Sequence, residues 1–351
     1  MKVLQLIDSL ATGGAERMAV NLANLLSSHV ESSCLCSTRK EGALKNAINP
    51  DVKYLFLNRK NTIDFAAFKK LKSFIKKEKI THLHAHGTSF LIATWVKWRL
   101  PHVKLIWHEH HGKRIYSGKR ENKMLIFCSR YFDKVITVNE DLKKWCLRYL
   151  NATQVSYLPN FIPETYFKFE ESIKREEVVV CLANLRAPKD HLNLLNAFVN
   201  VNEKHPNWTL WLLGKDANDE YSKKLKSFVA SHNLEHVVKF LGPQENVFQW
   251  LSRAKIGVLS SKSEGFPMAL LEYGASCLGV ISTNVGYCGE VVNDNGIIIP
   301  KENSKALEEA ILLYIEDSNK RERDGKAFQK YIFDSFSEKA VVEGLLNVYS
   351  V

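Results

Sequence analysis

Short apolar runs alternate with longer amphipathic stretches along the whole chain. Residues 3–7, 32–37, 52–57 and 135–139 read as strands, because their apolar positions are contiguous or alternate. Residues 16–27 carry Met18, Leu22, Leu25 and Leu26, and residues 63–79 carry Phe68, Leu71 and Ile75, both at helical period. Asn139 precedes the amphipathic stretch 140–150 and suits an N-cap. The second half repeats the scheme, with apolar runs at 178–183, 208–213, 237–241, 256–259 and 280–284. The run 178–183 is unbroken, as expected of a central parallel strand buried on both faces. A helix from His191 places Leu192, Leu195, Phe198 and Val199 inward. An Asn295-Gly296 turn precedes 297–299, a last edge strand. Helices at 305–314, 320–334 and 337–348 follow, the last with Ser337 as N-cap. Alternating strands and helices, with no strand-rich block, predict an α/β protein of two doubly wound, Rossmann-like domains. The first is expected over 1–163 and the second over 175–334, with the polar stretch 167–177 as linker.

Length and charge sharpen that division. A chain of 351 residues has room for two cores. Residues 1–163 hold 27 Lys and Arg against 12 Asp and Glu, and the remainder holds 22 against 26. The net +11 is therefore +15 in front and −4 behind, which suggests different partners for the two halves. The helix 63–79 alone carries Lys69, Lys70, Lys72, Lys76, Lys77 and Lys79. A second cluster, Lys113, Arg114, Lys119, Arg120 and Lys123, lies beside Ile115 and Tyr116. Such runs are usually solvated faces; two of them with apolar neighbours point to an anionic membrane surface. No RNA or DNA module signature is visible, so nucleic acid is not an expected partner. The apolar start 3–7 is cut by Asp8 and is too short for a secretory signal. Seven cysteines, an odd number without Cys-x-x-Cys, read as reduced thiols, with Cys34 and Cys36 in the core. The expected location is cytoplasmic, peripheral on the cytoplasmic face of a membrane.

The chemistry concentrates in residues 261–276. The strand 256–259 leads into Ser-Lys-Ser-Glu-Gly, and Pro267 stands where a first helical residue belongs. Strand, tight loop and helix N-terminus is where α/β sheets bind anions. Glu264 and Glu272 frame the loop, and carboxylates accept hydrogen bonds from sugar hydroxyls. Gly13-Gly14 make a second such turn before the helix at 16–27. Lys189 follows the strand 178–183 with Arg186 three residues earlier, so two cations share one loop at a strand end. Histidines gather at 82–86 and 108–111, both after apolar stretches. A zinc site is not expected there, because no helical histidine pair with a partner at metal spacing appears.

The run from Glu264-Gly-Phe-Pro to Glu272 resembles the E-x7-E signature of retaining nucleotide-sugar glycosyltransferases of the family 4 group. Gly13-Gly14-Ala15-Glu16-Arg17 is similar to the same family's N-terminal glycine turn. The stretch 155–163 resembles its interdomain segment, with Phe161 in place of a glycine. The resemblance implies the GT-B fold: two domains facing across a cleft, the first holding the acceptor and the second the donor. It also implies a last helix, 337–351, that crosses back to the first domain. The implied reaction is metal-independent transfer, with retained configuration, from a UDP-sugar to a hydroxyl of a glycan or lipid-linked saccharide, in cell-surface polysaccharide synthesis. No cofactor is implied. Glu264 would orient the donor sugar, Lys189 and Arg186 would stabilise the diphosphate, and His86 would meet the reacting sugar. Gly14, Gly214, Gly265, Phe266, Met268, Ala269 and Glu272 would contact the donor, and His108 would line the acceptor side. Two further positions depart from the pattern: Asn184 occupies the usual arginine position, and Asp216 replaces the second glycine of Gly-x-Gly. They keep open a catalytically silent subunit of a polysaccharide-assembly complex, and the shared fold keeps open a sugar-nucleotide epimerase.

Overall fold

The structure is a computed structural model that describes residues 1–167, 173–244 and 246–350. The chain divides into two compact units, one of residues 1–161 with 341–351 and one of residues 162–340. The linker expected over 167–177 falls partly on residues 168–172, outside the described residues.

Unit 1 contains a seven-stranded parallel sheet. Its strands are β1 (Lys2–Ser9), β2 (Ser32–Lys40), β3 (Lys53–Phe56), β4 (His82–His86), β5 (Lys104–Glu109), β6 (Lys134–Thr137) and β7 (Val155–Tyr157). Their order is β3-β2-β1-β4-β5-β6-β7, so the winding reverses between β1 and β4. Side chains alternate between the two faces of each strand. Leu4, Leu6, Leu83, Ala85, Leu105 and Trp107 build one core, into which the helix Phe65–Glu78 sends Leu71 and Ile75. Val3, Ile106 and Ile136 face the other side, against Met18, Leu22 and the last helix, Glu338–Tyr349. That helix contributes Val341, Leu345, Val348 and Tyr349 to unit 1, so the expected crossing back is present. Ser337 caps it, accepting from the Ala340 amide at 3.3 Å. Asn139 caps the helix Glu140–Tyr149 through the Leu142 amide at 2.8 Å.

Unit 2 contains a six-stranded parallel sheet of β8 (Val178–Leu182), β9 (Thr209–Leu213), β10 (Val238–Gly242), β11 (Ile256–Leu259), β12 (Gly279–Thr283) and β13 (Ile297–Ile299). The order β10-β9-β8-β11-β12-β13 reverses between β8 and β11. Val179, Cys181, Ile256, Val258 and Ile281 are fully buried, as their unbroken apolar runs predict. The helix expected from Pro267 starts one residue later, at Met268, with Pro267 in extended backbone at the N-cap. Two glycines permit close approaches: a Cβ at Gly214 would lie 2.1 Å from the Ala183 carbonyl oxygen, and one at Gly286 2.1 Å from that of Glu264.

Candidate active site at two switch points

In a doubly wound sheet, ligands bind beyond the carboxyl ends of the strands where the winding reverses. In unit 2 that point lies between β8 and β11, and the loops leaving these strands carry Lys189 and Glu264. They meet: Lys189 Nζ lies 2.6 Å from Glu264 Oε1, and Ser261 Oγ donates to the same oxygen at 2.6 Å. The two loops are tied together by backbone as well. Ser260 Oγ donates to the Lys189 carbonyl at 3.0 Å, and the Lys262 amide donates to the Pro188 carbonyl at 2.8 Å. Behind the loop, Thr283 Oγ1 holds the Ser261 carbonyl at 2.7 Å. A carboxylate that is only 9% exposed is thus held by a cation and a hydroxyl and keeps a fixed aim. The next helix, Met268–Ala275, presents its first amides at Met268 and Ala269, which have no acceptor within the helix.

The other predicted residues of unit 2 divide by position. Glu272 is buried, at 4% exposure, on the inner face of that helix. Gly265 and Ala269 are partly exposed beside the loop, while Met268 is buried. Phe266 is also buried, stacked on Tyr287 at 5.6 Å and edge-on to Phe336 at 5.6 Å, so its ring is a packing element of the loop. Arg186 is exposed; its carbonyl accepts from the Lys189 amide at 2.9 Å, but its guanidinium makes no hydrogen bond or ion pair among the described residues. It is therefore the loop cation whose charge is not already matched; Lys262, by contrast, is spent on Glu302 at 2.8 Å and Asp190 at 3.6 Å. Asn184 carries no charge to the site; its Oδ1 accepts from the Lys215 amide at 2.8 Å, beside Gly214. Asp216 points to Lys226 at 2.6 Å, and that hydrogen bond with the one from the Asn218 amide lowers its pKa to about 2.

Unit 1 reverses between β1 and β4. Gly14 is exposed there as the first residue of the helix Gly14–Ser27. Register and alternation place the histidines on one face: Gln5 is opposite His84, and His86 is opposite His108. His86 Nε2 lies 2.8 Å from Gln5 Oε1, and His86 Nδ1 2.9 Å from His110 Nε2. His84 Nε2 lies 3.2 Å from His108 Nδ1, while His84 Nδ1 meets the hydroxyl of Tyr349. Gln5 Nε2 donates to that hydroxyl at 3.0 Å. Burial lowers the pKa of all four rings, His84 to about 3, with neighbouring histidines adding to it, so they are neutral at pH 7. His84, His86 and His108 each bring a ring nitrogen within 4.8 Å of the others. Both nitrogens of His84 and of His86, and Nδ1 of His108, are engaged in hydrogen bonds within the cluster, which leaves His108 Nε2 as the unpartnered nitrogen of the trio. The arrangement is a hydrogen-bonded relay.

The relay corrects the sequence reading of this side. His86 is 1% exposed with both ring nitrogens bonded inside the relay; His108 is 0% exposed but keeps Nε2 unpartnered, and His110, two residues on, is partly exposed. Arg114, counted in the basic surface cluster, turns inward instead, its Nε to the buried Glu109 and its Nη1 to Asn122 Oδ1 at 2.5 Å. Burial raises the Glu109 carboxyl, but His111 and Arg114 outweigh it and hold it below the usual range. Sequence reasoning missed Gln5, His110 and Tyr349. A polar residue in the middle of an apolar β1 was the available signal, since a buried amide needs partners; nothing local pointed to Tyr349.

A family model described as Glycosyl transferases group 1 matches residues 163–331, and one described as Glycosyltransferase Family 4 matches residues 12–166. An uncharacterized glycosyltransferase of Methanocaldococcus jannaschii is 27% identical over 88% of this chain and 86% of its own. The O-antigen biosynthesis glycosyltransferase WbnH of Escherichia coli is 21% identical over 95% and 96%. Among solved structures, Anabaena HepE in complex with UDP-glucose superposes with a TM-score of 0.84 at 18% identity, over 100% of this chain and 99% of that one. The shared fold is GT-B.

Proposed function

We propose a reaction from one premise: the chain belongs to the family 4 glycosyltransferases of GT-B fold, matched by the two family models in chain order. It transfers a sugar from a nucleotide-sugar donor to a glycan acceptor. WbnH, a relative, is an O-antigen biosynthesis enzyme, and HepE has been solved with UDP-glucose. By analogy the donor is a UDP-sugar and the acceptor a lipid-linked saccharide of a surface polysaccharide. The observation that carries the site assignment is the Lys189–Glu264 pair at the β8/β11 switch point. A diphosphate entering there draws Lys189 and the free charge of Arg186, and takes up the amides of Met268 and Ala269. Glu264, still held by Ser261, is then open to donor-sugar hydroxyls, and Glu272 serves the ribose. Charge that develops on the leaving diphosphate is met by these fixed groups, which act most strongly where water is excluded. No metal is needed in this scheme, and the configuration is retained by attack from the face the leaving group vacates.

Purified protein is expected to bind UDP in the presence of EDTA and to release UDP from one sugar donor when an acceptor is supplied. Binding that requires a divalent cation, or a product of inverted configuration by NMR, would sink the corresponding part of the scheme. Donor turnover with no acceptor present would favour the epimerase.

The same reading extends to the membrane. No helix among the described residues is long and apolar enough to span one. Beside the helix Phe65–Glu78 lies an open groove of about 480 Å³, floored by Leu55, Ala66 and Phe74 and rimmed by Lys69, Lys70 and Lys77. Ile63 and Phe65, at the N-terminal end of that helix, are exposed. Lysines over an apolar floor suit anionic lipid, and binding to anionic vesicles should be released by salt. Vesicle binding that ignores salt would discard this surface.

A further inference from the structure

The relay of unit 1 has a direction, and it follows from one amide. Gln5 Nε2 can only donate, and it donates to the Tyr349 hydroxyl at 3.0 Å. Gln5 Oε1 therefore faces His86, which must carry its proton on Nε2 to reach it at 2.8 Å. A neutral His86 then offers a bare Nδ1, so His110 must donate from Nε2 across 2.9 Å, leaving His110 Nδ1 without a proton. The second arm runs the other way. The Tyr349 hydroxyl, having accepted from Gln5, gives its own proton to His84 Nδ1. His84 donates from Nε2 to His108 Nδ1 at 3.2 Å, which leaves the proton of His108 on Nε2.

Both arms end on nitrogens that are buried and have no partner, His110 Nδ1 and His108 Nε2. The two rings lie side by side, with centroids 4.0 Å apart. One end is a lone pair and the other an N–H, so a hydroxyl, which both donates and accepts, has the chemistry to pair with both. Both nitrogens are buried in this structure, and His110 is the partly exposed ring of the pair, so a hydroxyl would have to approach from the His110 side.

We propose that Gln5 and Tyr349 are positioning residues that fix the tautomers of the four-histidine relay, so that His108 and His110 together receive the acceptor hydroxyl as donor and acceptor of hydrogen bonds. This rests on the transferase reading above and names the part of unit 1 that serves it. Tyr349 comes from the last helix, 344 residues from Gln5, and is 2% exposed. Without its hydroxyl the amide of Gln5 loses the contact that selects one orientation. A flipped amide presents Nε2 to His86, and every proton on that arm moves to the other nitrogen.

The test is ¹⁵N NMR of histidine-labelled protein, which separates Nδ1–H from Nε2–H rings, with each of the 12 histidines assigned by single replacement. In the wild type, His86 and His110 should be protonated on Nε2 only. Tyr349→Phe keeps the ring and its packing; it should give mixed tautomers at both and lower kcat at least tenfold with unchanged UDP affinity. Gln5→Met should do the same while leaving His84 as it was. An Nδ1–H tautomer at His86 in the wild type overturns the proposal, as do Tyr349→Phe spectra or kcat equal to wild type. Failure to bind any nucleoside diphosphate overturns the transferase reading instead, and the tautomer spectra still decide the relay.

Discussion

The two sheets turn the same topological device to opposite electrostatic ends. At the β8/β11 reversal a lysine and a glutamate are held in contact, with an uncompensated arginine nearby. At the β1/β4 reversal four histidines are stacked without charge. The difference matches the ligands proposed for each. A pyrophosphate carries charge that grows as it leaves, and fixed cations and amides answer it. A hydroxyl is neutral and directional, and it needs a donor and an acceptor in the right places more than it needs a field. Similar folds can therefore serve both halves of one reaction by changing only the side chains at the strand ends.

The strongest way to break this contrast is to remove the charge from the ionic side. Lys189→Met should lower kcat for transfer by about 10²–10³-fold, ~2.7–4 kcal/mol, the range for loss of one preorganised group facing developing charge. A UDP-release assay checks it, and a drop below tenfold would mean that Lys189 only orients Glu264.

The neutral side should instead fail with acid. A histidine whose folded pKa is depressed binds fewer protons native than unfolded. Its contribution is complete above the unfolded value of about 6.5 and drains as pH falls toward the folded one. For His84, lowered to about 3, that is about 2 kcal/mol between pH 6.5 and 5. Unit 2 has one fully buried histidine among its described residues, His191, lowered to about 4 by burial. Hydrogen exchange, corrected for its intrinsic pH dependence, should show β4 and β5 opening before β8 and β11 between pH 7 and 5. Equal loss in both sheets would contradict the neutral-relay picture.

Arg186→Ala should weaken UDP binding about tenfold, ~1.4 kcal/mol, by calorimetry, and His110→Ala should leave that binding unchanged. If both or neither change it, the division of labour is wrong. The smallest effect is expected at Asp216: its ion pair with the half-exposed Lys226 is a surface one, so Asp216→Asn should shift stability by less than ~1 kcal/mol and leave UDP affinity alone.

Much of the ionic side could be read from sequence, because its parts are local. The apolar run 256–259, the turn, the proline and two glutamates eight residues apart all sit in one strand–loop–helix, and Lys189 follows the neighbouring strand. The relay was half legible. His82 to His86 and His108 to His111 stood out, but which rings meet depends on register, and the pairing of His86 with His108 is a property of the sheet. Tyr349 could not be found at all without the fold, since only the docking of the last helix brings it to Gln5. Arg114 shows the converse: its neighbours in sequence are surface cations, yet a buried carboxylate draws it in.

The way unit 1 is closed has a consequence for how the protein is made. Unit 2 is one uninterrupted segment, whereas unit 1 waits for residues 341–351. On the ribosome, β1 to β7 emerge first, but the apolar surface around Val3, Ile106 and Ile136 stays partly bare until the whole of the later unit has been translated. Domains fold as units during synthesis, so the half that is made first is the half that matures last. A chain truncated at residue 340 would hold the complete segment of the Lys189–Glu264 unit beside a histidine sheet with no tyrosine to set its protons.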